Sequence, residues 1–187
     1  KSGYTIETSG LSDMPAKRQE IAAVELNGKF YAIGGIDSFL NDSDEVHVYD
    51  PVTDNWAISE RLPKKLHHVG AVNFHGKIYV IGGFYTREKR YFIAVSDVYE
   101  FNGSQWIKKS PMRTARGALG LAVYKDKIYA IGGSDANKSL SVVEIYNPLK
   151  DEWTNASSMS FPRDHLSVVG LNGKIYALGG RNAVGCY

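Results

Sequence analysis

The sequence predicts an all-β fold made of about four copies of one four-stranded antiparallel unit. Three observations predict it. Gly-Gly pairs stand at Gly34-Gly35, Gly82-Gly83, Gly132-Gly133 and Gly179-Gly180, at steps of 48, 50 and 47 residues. The three tryptophans, Trp56, Trp106 and Trp153, repeat at steps of 50 and 47, and each follows a tyrosine (Tyr49, Tyr99, Tyr146) by seven residues. The segments before the Gly pairs read KFYAI, KIYVI, KIYAI and KIYAL, and counted back from the pairs the copies align without a gap for sixteen residues. A period near fifty outranks local propensity, because every copy must keep one structure.

Taken in order, each unit opens with a small apolar strand such as Val69–Phe74, suited to burial on both faces. A two-residue turn follows: Asn27-Gly28, His75-Gly76, Lys125-Asp126 and Asn172-Gly173. Asn-Gly is the strongest short hairpin signal, since both central residues must accept positive φ. The second strand ends at the Gly pair, where backbone can bend or approach closely. After a loop of variable length the third strand is expected at Glu45–Tyr49, Asp97–Phe101 and Val142–Tyr146. A turn such as Asp50–Asn55 then leads into the Trp-bearing fourth strand. One segment, RQEIAAVEL at Arg18–Leu26, has helical propensity, but its counterparts HHVGAVNF and GALGLAVY suit a strand, so a strand is expected. The units run at about 16–57, 66–108, 116–155 and 165–187 within a single domain of 1–187, with residues 3–9 as an added outer strand. Four antiparallel strands repeated radially describe a β-propeller.

Composition fits that picture. The 187 residues are 43% hydrophobic and 22% charged with a net charge of +2, which excludes disordered and polyelectrolyte classes and disfavours nucleic acid held by overall charge. One cysteine, Cys186, excludes an intramolecular disulfide and a Cys-rich metal site. No apolar run approaches the length of a membrane-spanning helix. The compartment stays open between cytoplasm and a secreted or periplasmic location.

The Gly pair after an apolar strand, with Tyr and Trp at fixed spacing and a period near fifty, resembles the kelch repeat from about Pro15 to Gly180. The resemblance implies four-stranded blades around a central channel, with the aromatics packed between blades. Tyr31, Tyr79, Tyr129, Tyr176 and the tryptophans are therefore expected to be scaffold. Kelch propellers of this kind bind proteins, and larger relatives join them to ubiquitin-ligase adaptor or actin-associated segments.

Function is expected where the copies differ. The longest loop after a Gly pair, Phe84–Val95, holds Tyr85, Arg87, Lys89, Arg90, Tyr91 and Phe92, the composition of a protein-binding hot spot. Sixteen residues before the pairs stand Arg18, Arg116 and Arg163, with Leu66 beside His67 and His68 in the second copy. Blade symmetry puts these on one ring at the channel mouth. The resemblance carries to the three arginines the capture of an acidic peptide. The other reading has each arginine bonding carbonyls of the adjacent blade. A protein or acidic peptide is the expected partner; nucleic acid and membrane are not.

No enzyme, cofactor or metal is expected. His47, His67, His68, His75 and His165 lack metal-ligand spacing, and adjacency puts His67 and His68 on opposite strand faces. Copper-radical oxidases of kelch type need a Tyr–Cys crosslink, which would be strained between Cys186 and its neighbour Tyr187. The alternative, a kelch-type sugar mutarotase or epimerase, would pair Arg18 with Glu20 or Arg163 with Asp164 in the channel. The Asn-x-Ser sequences at Asn41, Asn102, Asn137 and Asn155 read as turns rather than glycosylation sites. At fifty residues per blade the chain amounts to less than four blades, where kelch propellers close with five to seven. The expected remedies are a longer propeller, two chains sharing a ring, or closure by Tyr4–Glu7 with Val184–Tyr187 as a third strand.

Overall fold

The computed structural model describes residues 10–182, 185 and 186. Strands β1 (Ala22–Leu26), β2 (Lys29–Ile33), β3 (Val46–Asp50) and β4 (Asn55–Ile58) form the first sheet in sequence order. The segment with helical propensity is thus a strand, paired from Ala22↔Ile33 to Leu26↔Lys29. In the second unit β5 (Gly70–Phe74) and β6 (Lys77–Ile81) are followed by a separate hairpin, β7 (Phe84–Arg87) and β8 (Tyr91–Ala94). The sheet then resumes with β9 (Val98–Phe101) and β10 (Trp106–Lys109). The third unit repeats the first as β11 (Gly120–Tyr124), β12 (Lys127–Ile131), β13 (Val143–Asn147) and β14 (Glu152–Asn155). The fourth contributes β15 (Ser167–Leu171) and β16 (Lys174–Leu178), then the short pair β17 (Arg181–Asn182) and β18 (Gly185–Cys186).

Every first hairpin turns through two left-handed residues. In three of them the second is glycine, but Lys125 and Asp126 adopt φ of 46° and 54° without one. The Gly pair is the joint between units. The second glycine's N–H donates to the next unit at 2.9 Å: Gly35 to Leu66, Gly83 to Arg116, Gly133 to Arg163. A Cβ on the first glycine would lie 2.3–2.5 Å from that same carbonyl, at Gly34, Gly82 and Gly132. Only a residue without a side chain, at φ of 63–66°, fits there.

Tryptophans clasp units together as scaffold. The indole N–H of Trp106 donates to Glu60 O at 2.9 Å and that of Trp153 to Ser110 O at 2.9 Å, each in the tail of the preceding unit. One expected alignment shifts. Trp56 and Trp153 pair with Tyr49 and Tyr146, but Trp106 pairs with Phe101, because the turn in the second copy is two residues shorter. Tyr99 sits instead at the place of His47 and Glu144.

The cores lie between sheets, not within them. One joins Ile33 and Val46 to Ile78, Val80 and Tyr99. The next joins Tyr79, Ile81 and Val98 to Ile128, Tyr146 and Trp153. Inner strands β1, β5, β11 and β15 meet in succession around the axis. Tyr79 is buried as expected, whereas Tyr176, at the same place in the fourth unit, is 40% exposed. Gly185 and Cys186 pair with Arg181 and Asn182, the place that β7–β8 takes in the second unit, and not with β16 as a third strand would. Tyr4–Glu7 lies outside the described residues. Among the described residues no helix is long and apolar enough to cross a membrane.

Candidate functional site

The arginines sixteen residues before the Gly pairs bond backbone carbonyls, but of their own blades and not of the adjacent one, because each side chain turns back along the second strand that its own unit supplies. Arg18 Nη1 donates to Gly34 O at 2.6 Å and Glu45 O at 3.0 Å, and its Nη2 meets His47 Nδ1 at 2.5 Å. Arg163 donates to Gly179 O at 2.9 Å. Arg116 departs furthest from a channel-mouth ring, being fully buried. It donates to Ala130 O at 3.1 Å and to Glu144 Oε1 at 2.6 Å, and the Glu144 side chain is equally inaccessible. Burial pulls the Arg116 pKa down, and Glu144 opposes that shift. A guanidinium enclosed this way has no face left for a peptide carboxylate. Leu66, also fully buried, takes the same place in the second unit and shares a core cluster with Tyr99.

Two residues further on, the chain reaches the axis. Glu20, His68, Ala118 and His165 occupy equivalent positions, all left-handed, with φ of 51–55°. Backbone bonds link them: His68 N–H to Glu20 O at 3.0 Å, Ala118 N–H to His68 O at 2.8 Å, His165 N–H to Ala118 O at 2.9 Å. Left-handed backbone at His68 breaks the strand alternation. The rings of His67 and His68 consequently meet edge to face at 4.7 Å, Nδ1 to Nδ1 at 2.5 Å, instead of pointing to opposite faces. Both are packed against Phe84 and Phe92 of the β7–β8 hairpin. Burial lowers both imidazole pKa values to about 4, so both rings are neutral at pH 7. Among the described residues, Glu20, His68 and His165 bring metal-ligating atoms within 4.8 Å of one another, a convergence from three units.

The segment expected as a loop is the β7–β8 hairpin, which divides its side chains by face. Phe84 is buried and Tyr85 half-buried beneath Lys64, whose ammonium lies 4.8 Å from the ring centre. At the tip, Arg87, Arg90 and Tyr91 are exposed, Tyr91 by 47%, with the Arg90 guanidinium 5.6 Å from the Tyr91 ring. Among the described residues neither arginine is held by a salt bridge. A groove of about 410 Å³ runs from Arg87, Tyr91 and Phe92 to Ala115, Asp135 and Asn137 of the third unit.

A model of the KLHDC2/KLHL20/DRC7 Kelch-repeats domain matches residues 4–180. The chain belongs to this kelch-repeat family. Kelch-like protein 41a of Danio rerio is 29% identical over 138 residues, 73% of this chain and 23% of its own length, so the chain spans under a quarter of that relative. The solved structure of YjhT shares the kelch architecture with a TM-score of 0.71, covering 95% of this chain and 81% of that one at 14% identity.

Of the kelch domain's sequence-selected residues, the structure groups Arg87, Arg90 and Tyr91 at one hairpin tip and His67 and His68 beneath it. The guanidinium groups of Arg18, Arg116 and Arg163 go instead to carbonyls of their own blades. Sequence reading missed Glu20 and His165 as companions of His68, although all three stand two residues after the aligned arginine or leucine. That register was the available signal.

Proposed function

We propose that this kelch domain is a protein- or peptide-recognition module whose contact surface is the face carrying the segments after the Gly pairs, centred on the β7–β8 hairpin. The observation that carries this reading is the hairpin tip. Arg87 and the exposed Tyr91 line a groove that a peptide side chain can enter, Arg90 lies over the Tyr91 ring, and neither arginine has an ion-pair partner among the described residues. Arg and Tyr are the side chains that dominate interface energetics, and their geometry favours an acidic segment. The hairpin is anchored through Phe84 and Phe92 on buried histidines, so the tip is presented with little ordering cost. The sugar-mutarotase alternative has less support, because Arg18 is committed to carbonyls of its own blade and Asp164 to Ser139, His165 and Arg181.

Affinity capture followed by titration with acidic peptides from the captured proteins tests the proposal. Arg87→Ala, Arg90→Ala and Tyr91→Ala combined are expected to weaken binding roughly 30-fold or more while leaving thermal unfolding unchanged. Equal capture and affinity by the triple variant would remove this face from the function.

A further inference from the structure

Glu20 Oε2 lies 3.2 Å from His68 Nε2 and 3.8 Å from His165 Nε2. The surrounding hydrogen bonds assign the protons on the His67 and His68 rings. Thr86 gives its hydroxyl proton to Asp42 Oδ1 at 2.6 Å, so its oxygen has only lone pairs to offer His67 Nε2, 3.3 Å away. His67 therefore donates from Nε2 and accepts at Nδ1, where His68 Nδ1–H approaches. That leaves His68 Nε2 with a bare lone pair directed at the Glu20 carboxylate. His165 turns Nδ1 to Asp164 Oδ1 at 2.5 Å and Nε2 toward Glu20. Asp164 is in turn held by Ser139 and by Arg181 Nε at 3.1 Å. Two imidazole nitrogens converging on one carboxylate are an arrangement that a bound cation stabilises.

We propose that Glu20, His68 and His165 form a binding site for a divalent transition metal of the zinc class, set on the propeller axis. Two imidazoles and one carboxylate are a ligand set this class takes, with the fourth position open. Tetrahedral ligand atoms about 2.0–2.1 Å from zinc stand roughly 3.3 Å apart. Both Glu20 distances lie near that value, and the spread of up to 4.8 Å among the three ligand atoms closes as the exposed Glu20 and His165 side chains turn inward on binding. Each histidine already has the Nδ1 partner that orients metal-bound imidazole: Asp164 for His165, and His67 backed by Thr86 and Asp42 for His68. The fourth equivalent position holds Ala118, which offers no ligand atom. Glu20 and His165 are 39% and 30% exposed, so an ion can reach them. This site is independent of the recognition reading, and each stands or falls alone.

Calorimetric titration of the EDTA-stripped 187-residue chain with zinc chloride, and of the same chain with cobalt(II) while recording visible absorption, tests the site. Expected are one equivalent per chain and the intense absorption bands of four-coordinate cobalt. Glu20→Gln and His165→Ala, at accessible positions, should each lower zinc affinity on the order of 100-fold, and Asp164→Asn roughly 10–100-fold. Unfolding temperatures in EDTA should stay at the parent value. His75→Ala, on the exposed β5–β6 turn beside Asp126, should change nothing. No stoichiometric binding, binding that survives Glu20→Gln and His165→Ala, or binding abolished by His75→Ala would each overturn the proposal.

Discussion

Arg116 and Glu144 meet with both side chains wholly inaccessible, and the two other complete units show what stands in their place. Arg18 faces His47 in the first unit, and Leu66 shares a core cluster with Tyr99 in the second. Position sixteen before the Gly pair and the third-strand residue opposite the second strand therefore vary as a couple, polar with polar and apolar with apolar. Arg116→Ala strands a buried carboxylate and should cost about 3–5 kcal/mol in urea unfolding. Arg116→Leu with Glu144→Tyr should cost clearly less than the sum of its single changes, and strict additivity would refute the coupling. His47 gives a pH signature. Burial, with Arg18 and Arg61 nearby, holds its pKa below the usual 6.5, against the pull of Glu45. Such a histidine stays neutral in the fold while the unfolded chain protonates, so its contribution is complete above pH 6.5 and is lost as pH falls. The stability gap between the parent and His47→Gln should shrink from about pH 7.5 to pH 5, and a constant gap would exclude this role. The arginines were legible as a repeated position but not as blade cement. Their third-strand partners lie 28 or 29 residues onward across loops of differing length, beyond a gap-free alignment.

The four first hairpins share one left-handed turn that the sequence marks plainly three times, through the glycine in Asn-Gly or His-Gly. Lys125-Asp126 was legible only because the period demanded a turn there. Lys125 at φ 46° bears a cost that asparagine tolerates better, so Lys125→Asn should stabilise by up to about 1 kcal/mol in thermal unfolding. Gly82→Ala should do the reverse, costing about 3 kcal/mol or more, since the new methyl would sit 2.3 Å from Arg116 O at φ 66°. A small effect would show that the joint between second and third units can open. The β7–β8 hairpin was not read as strands. Its pattern, FYTREKRYFIA, lacks the glycine that announces the other turns, and Glu88 and Lys89 take left-handed φ instead. What did survive from the sequence is the tip composition, because Arg87, Arg90 and Tyr91 are exposed whether loop or hairpin carries them.

At the scale of the whole molecule, the units repeat a two-sided surface. Val72, Phe74, Tyr79 and Ile81 pack against the third unit, and their counterparts Val169, Leu171, Tyr176 and Leu178 are 40–57% exposed on the fourth. At the other end Phe30, the counterpart of buried Ile78, is 50% exposed. These faces are complementary by construction, because every internal joint is the same pairing, so the 187-residue chain should associate head to tail. Sedimentation velocity from about 1 to 100 µM should show the association, and Leu171→Lys with Leu178→Lys should suppress it. A concentration-independent monomer would rule it out. The period makes these positions equivalent in the sequence, but burial of one set and exposure of the other could not be read there. The chain of backbone bonds through Glu20, His68, Ala118 and His165 has a different consequence. Main chain spaces these four positions, so their side chains can be exchanged, among residues that accept φ of 51–55°, without moving the strands. The lumen can be rewritten, from charged to apolar or from open to ligating, one blade at a time and without rebuilding its wall.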